Sequence, residues 1–159
     1  MSQIIVKTRI IPKKITENIV SRQRLYKKFE ENASKNIILV IGPAGYGKTT
    51  SVLDYLNSSG KKYAWLYLSP DIDNPSVLLS YLIHSLRELN GSFGENTLEL
   101  ISSLTANDMF TREAGTSINT VIGSFVNEFV TDFAEDITLV IDDLHNIEDS
   151  GWTNDIFNA

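Results

Sequence analysis

The chain contains no cysteine and only two histidines, His84 and His145. Without thiols there are no disulfide staples, no thiolate zinc sites and no cysteine nucleophile. Two imidazoles are too few for a histidine-rich metal cage. Long apolar runs are also missing, since no stretch approaches the roughly 18 uninterrupted apolar residues of a membrane-spanning helix. The opening residues, Met1-Ser2-Gln3-Ile4-Ile5-Val6-Lys7, lack an apolar run followed by a small-residue cleavage site, so no secretory signal is read. Positive charge is absent from one end, for no Lys or Arg follows Arg112, whereas Glu113, Glu128, Asp132, Glu135, Asp136, Asp142, Asp143, Glu148, Asp149 and Asp155 do. Such an acidic third repels phosphate backbones, and direct nucleic-acid binding by this chain is not expected.

What is present is a globular composition: 159 residues, 42% hydrophobic and 21% charged, with a net charge of −6. This excludes a disordered chain and suggests one domain with a real core, a cytoplasmic protein without a membrane partner. Nine basic residues (Lys7, Arg9, Lys13, Lys14, Arg22, Arg24, Lys27, Lys28 and Lys35) precede Asn36 against three acidic ones. They read as a solvated face balanced by the acidic end, or as an arm able to touch an anion.

Residues 3–21 read as an extended arm in which Pro12 discourages regular structure. From Arg22 to about Asn32, Leu25, Tyr26 and Phe29 recur at spacings of three and four, the pattern of a short amphipathic helix. Ile37-Ile38-Leu39-Val40-Ile41 is a continuous apolar run between Asn36 and Gly42, the pattern of a strand buried on both faces. A helix from Thr49 to about Asn57 carries Val52, Leu53 and Leu56 and stops near Gly60. A strand over Tyr63–Leu68 follows, then a helix started by Asn74 as N-cap with Pro75 in its first turn and running to about Leu89. A short helix near 97–104, a longer one from about Ser117 to Ala134, and a strand over Ile137–Ile141 complete the pattern. Strands alternating with helices give an α/β fold with a parallel sheet and flanking helices. The boundaries read as an N-terminal arm and short helix over 1–35, then a nucleotide-binding domain over 36–159.

The decisive segment is Gly42-Pro43-Ala44-Gly45-Tyr46-Gly47-Lys48-Thr49. It satisfies G-x-x-x-x-G-K-[ST] at every fixed position, between an expected strand and an expected helix. Glycines let the backbone wrap closely, successive amides form an anion-binding nest, and the helix N-terminus adds positive potential. Lys48 is expected to neutralise β and γ phosphates of ATP or ADP, and the Thr49 hydroxyl to ligate Mg²⁺. Thr50 continues the phosphate-binding stretch. Leu139-Val140-Ile141-Asp142-Asp143 is the partner motif: Asp142 at a strand end can hold Mg²⁺ through its water shell, and Asp143 can orient or deprotonate a water. His145 reads as a loop or cap histidine, or as a sensor of the γ-phosphate. His84 reads as structural, Trp65, Tyr67 and Tyr81 as core, and Tyr46 as an exposed residue beside nucleotide or partner.

Together these segments resemble a known family. Val6-Lys7-Thr8-Arg9-Ile10-Ile11-Pro12, Ile19-Val20-Ser21-Arg22-Gln23-Arg24-Leu25 and the phosphate loop are similar in order and spacing to ATP-binding regulators of the MalT type. These are STAND-class P-loop NTPases of the LuxR family of transcriptional regulators. Ala64-Trp65-Leu66-Tyr67-Leu68, Asp73-Asn74-Pro75, Leu79-Ser80-Tyr81-Leu82-Ile83 and Val140-Ile141-Asp142-Asp143-Leu144-His145 extend the match over nearly the whole chain. The resemblance implies an ATP-dependent switch in which ADP holds a closed form, while inducer plus ATP favours an open, self-associating one. It also implies that Arg22, with Ile19 and Val20, lies near the adenine or ribose. The chain has 17 residues after Asp142. The resemblance therefore implies later strands, a sensor region and a DNA-binding region outside it, in a larger regulator or lost from a truncated relative. Slow hydrolysis by this chain alone and self-association through exposed apolar surface are the corresponding expectations. Two readings from other classes stand beside this one: a small P-loop phosphotransferase, for which only Arg87 and Arg112 follow Lys48 as clamps, and a non-catalytic nucleotide-binding interaction domain.

Overall fold

A computed structural model gives the architecture of the protein and describes residues 4–15, 20–103 and 118–147. The chain forms two compact units, Met1–Ile11 with Tyr63–Ala159, and Pro12–Lys62. The expected class holds: the fold is α/β, with helices around a parallel sheet that amounts to part of a P-loop-type sheet.

The larger unit is built on β1 (Tyr63–Tyr67) and β2 (Thr138–Asp142), paired in parallel from Tyr63 opposite Thr138 to Tyr67 opposite Asp142. Parallel strands cannot be joined by a tight hairpin. The intervening chain carries α3 (Pro75–Leu86), α4 (Glu95–Ser103) and α5 (Ile118–Asp132). Asn74 caps α3 as expected: its extended backbone lets the side-chain oxygen accept from the Val77 amide at 3.0 Å, and Pro75 opens the first turn. Leu104 and Ser117, at the expected limits of α4 and α5, lie outside the described residues.

Two apolar clusters fill this unit. In one, Leu66 and Leu68 of the β1 segment pack with Ile72, Leu78, Tyr81, Ile10 and Ile147. In the other, Ala64 meets Ile83, Leu86 and Phe93, with Phe125 and Phe129 of α5, and Phe133 just beyond its end, against them. The ring centroids of those three phenylalanines lie 5.5, 6.2 and 5.2 Å from that of Phe93. Their i, i+4, i+8 spacing puts them on one face of α5 and its end, which explains the phenylalanine stripe in the sequence. Trp65 and Tyr81 are buried, as expected of core residues. The arm is more structured than its composition suggests, for Lys7–Arg9 form a 3₁₀ turn and Ile10 inserts into the first cluster.

The smaller unit contains α1 (Gln23–Glu31) and α2 (Lys48–Ser59). They pack through aromatic rings, with Tyr26 and Phe29 lying 5.7 and 4.9 Å from Tyr55, and the Tyr26 hydroxyl shares a hydrogen bond with Ser58 Oγ. One expectation fails here. Ile37–Ile41 is not a buried strand: it belongs to no ladder among the described residues, and Ile37 and Ile41 are 85% and 82% exposed. An apolar run announces that burial would be favourable, but a strand exists only where a neighbouring backbone supplies the ladder.

Candidate functional site

Residues 42–49, the segment that matches G-x-x-x-x-G-K-[ST], occupy a tight turn leading into α2. Gly45 and Gly47 have φ of +77° and +74°, a left-handed backbone that side chains with a Cβ adopt only at a cost. Gly47 is also the residue at which the loop becomes helix. The first helical bond of α2 runs from the Ser51 amide to the Gly47 carbonyl at 2.9 Å, so the donors of the first turn point past the helix end. The motif's two left-handed glycines thus stand where the turn requires them, and Thr49 and Thr50 fall in the first turn of α2. Pro43, Ala44, Gly45 and Tyr46 are exposed, as anticipated for Tyr46.

Lys48 folds back over this loop. Its ammonium donates to the Gly42 carbonyl at 2.9 Å and to the Pro43 carbonyl at 3.2 Å. An ammonium has three donors and two are used here, so Lys48 braces the loop with one donor left over. Among the described residues no carboxylate neutralises it. Arg22 joins the loop from upstream: its Nη1 donates to the Tyr46 carbonyl at 3.1 Å, and a Cβ on Gly47 would lie 3.7 Å from its other terminal nitrogen. Arg22, Val20, Gly47, Thr50, Ser51 and Asp54 line a solvent-open cavity of about 220 Å³. The structure therefore brings Arg22 and Val20 beside the turn of residues 42–49, while Ile19 lies outside the described residues.

These features fit an anionic ligand. Left-handed glycines expose backbone amides, a helix N-terminus adds partial positive charge, Lys48 lies over the loop and Arg22 lines the cavity. Ser51 and Asp54 had not been singled out in the sequence. Their signal was helical spacing, because Ser51 lies one turn beyond Gly47 and Asp54 one turn beyond Thr50.

The acidic pair belongs to the larger unit. Asp142 ends β2, and its carbonyl accepts from the Leu68 amide at 3.0 Å. Asp143 has φ +59°, the only non-glycine described residue with a positive value. This left-handed step is held locally. The Asp143 amide donates to Asp142 Oδ1 at 3.0 Å, and its carbonyl accepts from the Asn146 amide at 3.0 Å. Asn146 Nδ2 also donates to the Leu68 carbonyl at 3.0 Å, tying the turn to the end of β1. Aspartate is one of the side chains that tolerates such a backbone, at a modest cost. His145 follows in the 3₁₀ turn Leu144–Asn146 and is exposed. His84 is half-buried on α3, where burial and then the nearby Arg87 hold its pKa below the ordinary imidazole value. Arg112, weighed above as a phosphate clamp, lies outside the described residues. Among the described residues no group of three or more His, Cys, Asp or Glu could hold a metal, and no helix is long and apolar enough to cross a membrane.

No protein-family model matches the chain. It is similar to two kinds of curated protein. Against the serine/threonine-protein kinase PknK of Mycobacterium tuberculosis it is 27% identical over 146 residues, 90% of this chain and 12% of the kinase. Against the HTH-type transcriptional regulator MalT of Serratia proteamaculans it is 29% identical over 155 residues, 94% of this chain and 15% of the regulator. A MalT from Cronobacter sakazakii is 32% identical over 88 residues, 52% of this chain. The chain thus spans 12% to 15% of the length of PknK and of the Serratia MalT. It resembles one region of much longer signalling and regulatory proteins.

Proposed function

We propose that the chain is a nucleotide-binding switch module of a signalling ATPase, part of a MalT-like transcriptional regulator of the STAND class. Its ligand is ATP or ADP with Mg²⁺. The observation that carries this reading is the loop from Gly42 to Thr49: two left-handed glycines, a helix beginning at Lys48, and the Lys48 ammonium held over the loop by the Gly42 and Pro43 carbonyls. Gly42, Pro43, Ala44, Gly45, Tyr46, Gly47, Lys48, Thr49 and Thr50 hold the phosphates in this proposal, and Arg22 lies beside the nucleoside. Thr49 and Asp142 are the Mg²⁺ residues and Asp143 the residue that orients water, roles that rest on the motifs. Similarity to MalT and PknK over about nine-tenths of the chain supports a regulatory setting. Self-association is part of the same proposal, and the exposed Ile37–Ile41 run supports it.

Calorimetric titration of the 159-residue chain with Mg–ATP and Mg–ADP tests the reading. Lys48→Ala removes a charge-assisted contact to phosphate, worth about 1.5–3 kcal/mol, a loss of tenfold or more in affinity. Equal nucleotide affinity in the variant and the native chain would refute it.

A further inference from the structure

The cavity beside the phosphate loop has walls of opposite charge. At one end stand Gly47, the last glycine of the loop, and Arg22, whose guanidinium is anchored on the Tyr46 carbonyl. At the other end stands Asp54. Helical geometry sets the distance between Gly47 and Asp54: seven residues, about 10.5 Å along the α2 axis at 1.5 Å per residue. Asp54 stands one turn past Thr50 on the same face, and both residues line the cavity. The Asp54 carboxylate has no hydrogen-bond or ion-pair partner among the described residues. Its backbone carbonyl, not its side chain, accepts from Ser58 Oγ at 2.7 Å.

A carboxylate at this place is unfavourable for a ligand that is anionic throughout. Two like charges repel, and an ionised carboxylate accepts hydrogen bonds but donates none. It suits a ligand that is anionic at the Gly47 end and offers a hydrogen-bond donor about 10.5 Å further along the helix. A nucleotide has this polarity, with phosphates at one end and, at the other, hydroxyls on the sugar and an exocyclic amine on the base. From this we infer that Asp54 is a specificity-determining residue that accepts a hydrogen bond from the nucleoside, selecting nucleotides over simple polyphosphates. This inference rests on the phosphate-loop reading proposed above and adds to it a residue that the motif does not contain.

The inference predicts opposite responses from two probes. Affinities of ATP and of inorganic tripolyphosphate are measured by calorimetry for the full chain, Asp54→Ala, Asp54→Asn and Lys48→Ala. Thermal melting confirms that each variant is folded. Asp54→Ala is expected to weaken ATP about tenfold, the loss of one hydrogen bond to a charged group, and to leave tripolyphosphate unchanged or tighter because a repulsion is removed. Inosine triphosphate, which lacks the exocyclic amine, and 2′,3′-dideoxy-ATP, which lacks the sugar hydroxyls, identify the donor. The analogue missing it binds the native chain about tenfold more weakly than ATP, and the gap closes in Asp54→Ala. Asp54→Asn keeps the size of the side chain and adds a donor, so it narrows the same gap. Equal weakening of ATP and tripolyphosphate in Asp54→Ala would assign the residue to helix structure and overturn the inference. So would an unchanged ATP affinity, or native binding of both analogues as tightly as ATP. Failure of the underlying reading looks different: the native chain then binds neither ATP nor tripolyphosphate, or Lys48→Ala binds both as the native chain does.

Discussion

Glu128 of α5 caps the N-terminus of α4 through Thr97, 31 residues earlier in the chain. One carboxylate oxygen accepts from the Asn96 amide at 3.0 Å and its side-chain nitrogen at 3.1 Å. The other accepts from the Thr97 amide at 3.0 Å and from the Thr97 hydroxyl. Thr97 is fully buried, so its hydroxyl has lost the option of water. A carboxylate at a helix N-terminus also meets the positive end of the helix dipole. Glu128→Ala removes the acceptor of the buried Thr97 amide, while the Thr97 hydroxyl keeps Ser124 Oγ at 3.0 Å and the exposed Asn96 turns to water. The expected cost is about 1–2 kcal/mol in chemical denaturation, with Glu128→Gln costing less because the amide retains one acceptor. A wild-type midpoint in Glu128→Ala would remove this contact from the account of stability.

Gly94 enters the same helix with φ +74°, and a Cβ there would lie 2.5 Å from Ile83 Cγ2 and 3.0 Å from Cγ1. Ile83 is fully buried in the phenylalanine cluster and cannot move aside freely. Gly94→Ala combines left-handed strain with overpacking, for an expected loss of about 2–4 kcal/mol. Gly91 is the internal control. Its Cβ would meet nothing within 4 Å and its φ is not positive, so Gly91→Ala should stay within about 0.5 kcal/mol of the native chain. Similar melting temperatures for the two variants would contradict this account.

Within the larger unit, Arg9 fastens the N-terminal turn to Tyr81 and Asp71 by three contacts. Its Nη1 donates to the buried Tyr81 hydroxyl at 3.0 Å, pairs with Asp71 at 2.8 Å, and the guanidinium lies 5.3 Å from the Tyr81 ring centre. Arg9→Ala should cost about 1–2 kcal/mol, mostly from the hydroxyl and ring contacts. Asp71→Asn should cost under about 1 kcal/mol, since Asp71 is largely exposed. The Ser69 hydroxyl, and then Arg9, hold the Asp71 carboxyl below its ordinary value of 3.8. Its contribution is therefore present above that pH and is lost as pH falls below it. A double-mutant cycle between Arg9 and Tyr81 measures the coupling, and a zero coupling energy would contradict the anchoring.

His84 makes stability depend on pH in the mildly acidic range. Burial, followed by the charge of Arg87, holds its folded pKa below 6.5, so the unfolded chain takes up the proton first. This contribution is complete above about pH 6.5 and declines as pH falls towards the folded value. Urea midpoints measured between pH 7.5 and 5 should fall for the native chain and change less for His84→Asn. Parallel curves would show that His84 is not the source.

Binding of DNA by residues 1–159 is expected to be weak, non-specific and steeply salt-dependent. Of the 14 Lys and Arg residues, ten fall between Pro12 and Lys62 (Lys13, Lys14, Arg22, Arg24, Lys27, Lys28, Lys35, Lys48, Lys61 and Lys62), and the last 47 residues have none. Sequence-specific recognition needs clustered base-reading side chains on an element shaped for a groove. Sub-micromolar, sequence-selective gel shifts at physiological salt would overturn this expectation.

Features closed by local hydrogen bonds were legible in the sequence. The tight turn before α2, the Asn74–Pro75 helix start and the phenylalanine spacing along α5 each depend on residues within a turn or two. The alternation of apolar strand and helix patterns also announced the α/β class, which β1, the helices after it and β2 bear out. Tertiary structure decided what depends on a distant partner. Arg9 meets Tyr81 across 72 residues, Glu128 meets Thr97 across 31, and Arg22 meets the Tyr46 carbonyl across 24. No spacing rule announces such pairs. Ile37–Ile41 marks the boundary between the two kinds of information. Its composition is that of a strand, but a backbone ladder has to be supplied from elsewhere in three dimensions, and among the described residues the sheet consists of β1 and β2.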